Sequence, residues 1–277
     1  MHPIERMRAV ARAGRQEPSL LAREAAAALA GWEAGPAPLV TACRRLVDRQ
    51  PDCGPLWWVA ARVLAAADPG AEARRAATDL ARDATPSRLA EALAEDTTVV
   101  VVGWPEHAGE ALLDRGDVTV LVVDAGGGTF DDAGGAVAWL RRAGSDAEIV
   151  PPSGAAAAVA AAGAAGGPVL VEALAVGPDG FVATAGTAGV AAVAGRMGVP
   201  VWLVAGEGRV LPGGLWAAVG ARLARRGSPW YAESEVVPLD WATVAVGPEG
   251  RAAPAELAGR PTCPPAPELE ALRDELR

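Results

Sequence analysis

The chain has 277 residues, of which 51% are hydrophobic, and its formal net charge at pH 7 is −9. This composition is typical of a globular protein with a large core, and the negative charge argues against a general nucleic-acid surface, because basic patches bind phosphate. All 25 residues counted as Lys or Arg are arginine, so no lysine is present to form a Schiff base or to bind phosphate in a Walker motif.

Three further features indicate where the protein resides. The longest apolar runs, such as 155–162, fall short of the roughly 20 residues that a membrane span needs. The N-terminus alternates arginine with apolar residues and lacks the apolar region of a secretion signal. Three scattered cysteines without metal-ligand spacing are typical of free thiols in a reducing compartment. We therefore expect a cytoplasmic protein with neither a membrane nor a nucleic-acid partner.

The first part of the chain carries a helical pattern. Apolar residues recur at spacings of three and four in successive segments, at 19–32, 38–50, 55–67, 70–84 and 86–96. The pattern predicts a small all-helical N-terminal domain over residues 1–95.

The spacing of apolar residues changes at Thr97. From there, short β-branched runs alternate with alanine-rich segments of helix length. The runs occupy residues 97–103, 118–124, 147–150, 168–173, 199–205 and 241–247. Runs that are apolar on both faces indicate a parallel sheet covered by helices on each side. We therefore predict an α/β fold with a Rossmann-like parallel sheet over residues 96–277, and a binding site at the carboxyl ends of its strands.

His107 follows the first of these runs and stands beside Glu106 at the start of a predicted helix. A histidine at a strand end can serve as a general acid or base. A solvated or capping histidine beside a glutamate fits the same pattern, so both interpretations stay open.

A glycine-rich turn after the fourth run leads into another predicted helix. Backbone N–H groups at such a helix start can hold a phosphate or carboxylate without a cationic side chain. The alternative is that the glycines only permit close packing and that a threonine caps the helix. The candidate ligand-binding residues of this turn are Thr184, Gly186, Thr187 and Ala188.

A recognisable set of nucleophile, base and orienting residue does not occur in the sequence. The serines lack a G-x-S-x-G elbow, the glycines at 126–128 do not run into a helix as a dinucleotide fingerprint requires, and two histidines cannot supply a typical metal cluster. We therefore expect no metal and no cofactor. The candidates for proton transfer are His107, Glu172 and Asp179.

The second half of the chain contains four motifs in a fixed order: VEAL (171–174), DG (179–180), ATAGT (183–187) and VPVWLVA (199–205). This order resembles the translation initiation factor 2B regulatory subunits and the aldose-1-phosphate isomerases, among them methylthioribose-1-phosphate and ribose-1,5-bisphosphate isomerases. Those proteins carry a strand ending in V-G-A-D or V-G-A-E, then N-G, then N-K-I-G-T at a helix start, then a V-P-V strand. The segment 236–254 is similar to the family's last strand, and the segment 42–64 to the helix that follows its Arg-Pro pair. The resemblance implies a helical N-terminal domain and a Rossmann-like C-terminal domain.

The sequence departs from the isomerases at their catalytic positions. The resemblance assigns the family's catalytic cysteine, which follows the first sheet strand, to Gly103 or Trp104. It assigns the catalytic aspartate of the V-G-A-D motif to Leu174. None of these side chains can exchange a proton, so the resemblance implies a retained scaffold without its reagents.

The phosphate-binding positions differ as well. The family's Asn-Lys pair becomes Thr184-Ala185, with one residue deleted. Its Arg-Pro pair becomes Gln50-Pro51, which leaves Arg49 one place away. Cations that would hold a phosphate are therefore missing from their usual positions.

These observations favour a non-catalytic relative that binds a small phosphorylated metabolite or a protein partner. An anionic ligand would lie on the N–H groups of the glycine turn, with Arg49 and Arg209 as its cationic partners. One alternative is a divergent aldose–ketose isomerase in which His107, Glu172 or Asp179 replaces the missing groups. Another alternative is a scaffold without a ligand.

The resemblance also implies a homodimer, because the family pairs its C-terminal domains. We expect Trp202, Trp216 and Trp230 near that interface, with the alternative that these side chains fill the core.

Overall fold

The computed structural model describes residues 10, 16–124 and 133–275, so the glycine run at 126–128 lies outside the described residues. Helices come first, at Pro18–Leu29 (α1), Pro36–Arg49 (α2), Gly54–Ala65 (α3), Pro69–Ala81 (α4) and Thr85–Ala92 (α5). Each has a proline in its first two positions, where a helix does not need the missing N–H. They agree with the five helical segments that the sequence predicts.

The sheet begins at Thr98. Its strands are Thr98–Val102 (β1), Thr119–Val123 (β2), Ala147–Val150 (β3), Val169–Val176 (β4), Gly180–Thr184 (β5), Val201–Val204 (β6), Ser234–Pro238 (β7), Val244–Gly247 (β8) and Gly250–Ala252 (β9). Helices between and after them are Glu106–Leu113 (α6), Ala133–Arg142 (α7), Ala155–Ala164 (α8), Thr187–Met197 (α9), Gly213–Leu223 (α10), Pro254–Ala258 (α11) and Pro267–Glu270 (α12).

The main sheet has the strand order β3-β2-β1-β4-β6-β8-β9. Neighbours from β3 to β8 are parallel, and only β9 runs antiparallel, against β8. The α/β fold with a mostly parallel sheet, predicted from the six apolar runs, is confirmed.

A second, antiparallel layer extends from the middle of this sheet. The last residues of β4 pair with β5, and β5 pairs with β7. The sequence pattern missed β5, β7 and β9, because β5 starts at a glycine, β7 holds only two β-branched residues before a proline, and β9 has three residues.

The helical region and the sheet share one hydrophobic core. Trp57 and Trp58 of α3 are fully buried in a cluster that also contains Ala175 and Leu215. Gly54 begins α3 against β4, and a side chain there would place Cβ 2.5 Å from the carbonyl oxygen of Leu174. The first turn of α3 therefore lies directly on β4.

Helix α5 packs on the other side, with Leu89 buried beside Val99 and Val246 of the sheet. The boundary near residue 95 stays a prediction, because helices from before it belong to two hydrophobic clusters that also contain residues of the strands. Among the described residues, no helix is long and apolar enough to cross a membrane.

Candidate functional site

Charged side chains from separate elements meet at the carboxyl ends of the central strands. Glu106 and His107 open α6 after β1, Glu172 lies in β4, and Arg209 follows β6. Asp83 joins them from the turn before α5. We call these five residues the buried ion cluster, since their side chains are between 0% and 13% exposed.

Arg209 is the centre of this cluster. Its Nη2 atom lies 2.7 Å from Oε2 of Glu106, 3.0 Å from Oε1 of Glu172 and 2.8 Å from Nδ1 of His107. Its Nη1 atom donates to the carbonyl oxygen of Ala173 at 2.5 Å. The guanidinium is 0% exposed and bonded to internal groups, so its role as a cation for a ligand stays a prediction that the geometry disfavours.

His107 contacts carboxylates through both ring nitrogens. Nε2 lies 2.8 Å from Oδ2 of Asp83, and Nδ1 lies 3.3 Å from Oε1 of Glu172. Burial and the charge of Arg209 lower the pKa of His107, but the hydrogen bonds to the two carboxylates outweigh them and raise it to about 9. Protonation also reduces the excess of negative charge, because the cluster holds three carboxylates and one guanidinium. We therefore expect an imidazolium at neutral pH.

The start of α6 binds Glu172. Oε2 of this carboxylate accepts the backbone N–H groups of His107 at 2.9 Å and Ala108 at 3.0 Å. Burial raises the pKa of Glu172, but the nearby Arg209 and His107 and these donors lower it overall. The carboxylate thus stays ionised inside the protein.

Asp83 is held by donors from two directions. Its Oδ1 atom accepts the N–H and the hydroxyl of Thr85 at 2.9 and 2.7 Å, and its Oδ2 atom accepts the N–H of Glu207 at 2.6 Å. Burial opposes its ionisation, but the bonds to His107 and Thr85 hold the pKa of Asp83 well below its usual range.

The cluster connects the helical region to the sheet. Oε2 of Glu106 accepts both the hydroxyl and the N–H of Ser19 in α1, at 3.1 and 3.3 Å. Together with the bonds of Asp83, this contact fixes two helical-region segments to groups that follow β1 and β6. The start of α1 is thus bonded to the start of α6.

Glu106, His107 and Glu172 form a set of side chains that could hold a metal ion, with ligand atoms within 4.8 Å of one another. The Nη2 atom of Arg209, however, lies within 3.0 Å of an atom of each of them. The place of a cation is therefore taken by the protein's own guanidinium, and the residues fit an internal ion cluster better than a metal centre.

The glycine turn also lies at the strand ends. Gly186 has a left-handed backbone (φ 96°), and a side chain there would place Cβ 3.9 Å from Val102 at the end of β1. Gly186 occupies the N-cap position of α9 and Thr187 is the first helical residue, so the threonine does not stand at the capping position that the alternative assigned to it. The N–H of Ala188 donates to Oε1 of Glu235 in β7 at 2.8 Å. The carboxylate of Glu235 is thus already bonded to one of the N–H groups that the sequence analysis assigned to a ligand.

Arg49 and Thr184 lie outside the buried ion cluster. Arg49 is exposed at the end of α2, and its carbonyl oxygen accepts from Arg226 at 3.2 Å. Thr184 ends β5 opposite Ser234, whose hydroxyl donates to Asp52 at 3.0 Å. The α2–α3 connection therefore reaches the end of β5, as the ligand hypothesis requires. The role of Arg49 and Thr184 in ligand binding stays a prediction.

Asp179 is separate from His107 and Glu172. Its Oδ1 atom accepts the indole N–H of Trp216 at 2.7 Å in the turn between β4 and β5. The structure thus brings together only two of the three candidates for proton transfer.

Packing residues occupy the positions that the resemblance assigns to the isomerase reagents. The Trp104 ring covers α6 so closely that a Cβ on Gly109 would lie 2.8 Å from it. Leu174 packs against the helical core, and its carbonyl faces Gly54.

Two partners in these contacts escaped the sequence analysis. Asp83 stands two residues before Thr85, a spacing that predicts a local Asx-type turn but no link to His107. Glu235 lies in a strand that the pattern missed, and no signal in the sequence relates it to Ala188.

Comparisons with known proteins rest on structure alone, since no protein-family model and no curated protein matches the sequence. Translation initiation factor eIF-2B of Pyrococcus horikoshii OT3 is 13% identical, with a TM-score of 0.73 over 92% of this chain and 98% of that one. A chain of the tetrameric eIF2B-beta2-delta2 complex from C. thermophilum is 14% identical, with a TM-score of 0.69 over 93% and 92%. Chaetomium thermophilum eIF2B beta is 11% identical, with a TM-score of 0.67 over 93% and 89%. The resemblance inferred from the order of motifs is thus confirmed in the fold: this chain folds as the translation initiation factor 2B subunits do.

Proposed function

We propose that the protein is a non-catalytic relative of the initiation factor 2B subunits that works by binding a small anionic metabolite or a protein partner. The observation that carries the proposal is the position of Arg209 Nη2, within 3.0 Å of Glu106, His107 and Glu172. The ionisable groups at the strand ends are paired with one another, so they stabilise the fold instead of serving a substrate.

The protonation states support this view. A general acid or base works best with a pKa near the working pH and must reach the substrate. The pKa of His107 is raised to about 9 and that of Glu172 is lowered, so their pKa values move away from neutrality in opposite directions. Both side chains are buried, with exposed fractions of 5% and 6%, out of reach of a substrate.

One alternative is a divergent aldose–ketose isomerase in which His107, Glu172 or Asp179 replaces the missing groups, of which His107 and Glu172 lie together. A buried pair with perturbed pKa values is typical of active sites, although structural ion pairs perturb pKa values in the same way. The test is turnover of methylthioribose-1-phosphate and ribose-1,5-bisphosphate by the purified protein. We expect none above background, and none from Leu174→Asp, since the catalytic thiol and cations would still be missing. Turnover that Glu172→Gln abolishes in a folded protein would establish the isomerase instead.

The anionic ligand would bind at the glycine turn, with its charge on the N–H groups of Gly186, Thr187 and Ala188. This site is supported by its position at the strand ends and by the N–H groups of a helix start, which have no partner within the helix. Binding there requires Glu235 to leave Ala188. Arg49 is the exposed cation expected to approach from the helical region.

A thermal-shift screen of sugar phosphates and nucleotides tests the ligand. A ligand at 100 times its dissociation constant adds about 2.7 kcal/mol to the free energy of unfolding. Gly186→Val should abolish this shift by placing a side chain where the ligand must approach, and Arg49→Ala should reduce it by the loss of a charge-assisted bond worth about 1.5–3 kcal/mol. Binding that ignores both substitutions would place the ligand elsewhere. No shift with any compound would favour the scaffold alternative.

A homodimer completes the proposal, and its support is an apolar surface on the C-terminal region. Trp230 and Tyr231 are 85% and 89% exposed. Trp202 is buried and has Arg251 stacked over its ring at 4.7 Å, so it fills the core instead of the interface. Trp216 is half-buried. Light scattering at micromolar concentration should give twice the monomer mass of 28.0 kDa.

A further inference from the structure

Strand β7 lies at the free edge of the antiparallel layer. It pairs with β5 and, within the described residues, with no other strand. The register is regular, with Val236 opposite Val182 and Val237 opposite Phe181. One side of β7 is therefore available to another strand.

The hydrogen bonds of the β5–β7 pair show which groups point outward. Ala185 donates to the carbonyl of Glu233, and Leu239 donates to the carbonyl of Asp179. Since hydrogen-bonded pairs recur at every second residue of an antiparallel ladder, 235 and 237 also face β5. The N–H and C=O of Val236 consequently point away from the sheet. The Val236 side chain is also 51% exposed, in a sheet edge of the kind that invites pairing.

The exposed apolar residues around β7 are arranged symmetrically in the sequence. Tyr231 is 89% exposed, Trp241 is 39% exposed, and each is five residues from Val236. Tyr231 ends the 3-10 turn before β7 and Trp241 ends the 3-10 turn after it, so both lie just outside the strand. The exposed edge of β7 is thus flanked by exposed aromatic side chains at both ends.

We propose that β7 pairs antiparallel with β7 of a second copy of this chain, around a two-fold axis at Val236. Val236 in each copy donates its N–H to the C=O of Val236 in the other, and Ser234 donates to the carbonyl of Pro238. The two antiparallel layers become one continuous layer. The inference rests on the homodimer of the proposed function and specifies its interface.

Charges and the proline are compatible with this register. Within β7, Glu235 would face Val237 of the other copy, so no like charges lie directly opposite each other in the paired strands. Pro238 lacks an N–H, but its outward carbonyl can still accept. A second copy of β7 therefore meets the outward backbone groups of Val236 and places no like charges opposite each other, a match that a strand of unrelated sequence need not offer.

A cysteine on the axis tests the register directly. In a hydrogen-bonded antiparallel pair the Cα atoms are about 5.5 Å apart, within the range that a disulfide spans. Val236→Cys with oxidised glutathione as the oxidant should give a covalent dimer. The wild type, whose Cys43, Cys53 and Cys263 are buried, and Ser153→Cys, an exposed site elsewhere, should stay monomeric on a denaturing gel.

A charge at the same position tests the energetics. Val236→Asp places two carboxylates on the axis and should weaken the dimer at least tenfold in light scattering, while Val236→Thr should leave it intact, with circular dichroism confirming the fold of both. A dimer that survives Val236→Asp, together with a Val236→Cys variant that does not cross-link, would overturn this interface but leave the homodimer. A wild-type monomer would overturn both.

Discussion

Nη2 of Arg209 lies 2.8 Å from Nδ1 of His107, in a part of the protein that the helical region covers. The contact is a hydrogen bond only if Nδ1 carries no proton, because an imidazolium and a guanidinium are both donors. Glu172 lies 3.3 Å from the same nitrogen and favours a proton there. The carboxylates of the buried ion cluster decide between these states, and they also bind the helical region to the strand ends.

Removal of Arg209 should destabilise the protein strongly. Arg209→Ala leaves Glu106 and Glu172 buried without their cation, and breaking a buried ion pair from one side costs about 3–5 kcal/mol. Chemical denaturation monitored by tryptophan fluorescence measures the free energy of unfolding. Arg260→Ala is the matched control, because that arginine pairs with Glu249 and Glu256 on the surface and should cost at most about 1 kcal/mol. Equal losses in the two variants would show that the cluster does not hold the fold together.

His107 should titrate above the usual range of histidine. The chain has two histidines, and the other, His2, lies near the N-terminus. Proton NMR should show one imidazole with a pKa near 9, and this signal should be lost in His107→Gln. A value for His107 at or below 6.5 would contradict the imidazolium and assign Nδ1 as an acceptor from Arg209.

The free energy of unfolding should depend on pH in the alkaline range because of His107. The folded-state pKa of His107 is raised above the unfolded value of 6.5, so its contribution is fully present below pH 6.5 and is lost as pH rises through about 9. The difference in free energy of unfolding between wild type and His107→Gln should therefore shrink between pH 7 and pH 10. A difference that stays constant or grows over this interval would exclude a raised pKa.

The sequence predicted the framework because the relevant signals are local. The six apolar runs and five helical patterns are each read from one continuous segment, and six strands (β1–β4, β6 and β8) and the first five helices lie where those patterns occur. The strand-end rule also drew attention to His107, Glu172 and Arg209, which the structure brings together. What the rule could not provide was their pairing, because Asp83 and Glu106 reach them through contacts between distant segments.

The glycine turn shows the same limit of prediction from sequence, since its contact partner is also distant in the chain. Its backbone geometry follows from local residues, and Gly186 has the left-handed conformation that glycine favours. Its bonding partner, Glu235, comes from an antiparallel strand 47 residues away. A helix start that appears free in the sequence is therefore already bonded in the folded protein.

Close packing of α3 on β4 leads to a further prediction. A Cβ at Gly54 would lie 2.5 Å from Leu174 O and 3.1 Å from Ala175, so Gly54→Ala should push the helix off the strand and cost about 1–3 kcal/mol. Gly220→Ala in α10 meets nothing within 4 Å and should instead stabilise by up to about 1 kcal/mol through helix propensity. Thermal unfolding of both variants measures the contrast. A Gly54→Ala protein as stable as wild type would show that α3 can move away from β4 at little cost.

Glu235 should compete with anions for the start of α9. Its carboxylate accepts the Ala188 N–H, and a negative charge at a helix start contributes about 0.3–1 kcal/mol, so Glu235→Gln should lower the free energy of unfolding by about that amount.

The same substitution, Glu235→Gln, removes the charge that repels an incoming anion, while the amide oxygen can still accept the N–H. Calorimetry with inorganic phosphate at fixed ionic strength should therefore show about tenfold tighter binding to Glu235→Gln, because two like charges a few ångströms apart repel by more than about 1.4 kcal/mol near a protein surface. Glu233→Gln, two residues away and exposed, should bind phosphate as the wild type does. If Glu235→Gln loses stability as expected but binds phosphate no more tightly than Glu233→Gln, the helix start is a structural contact and the anion site lies elsewhere.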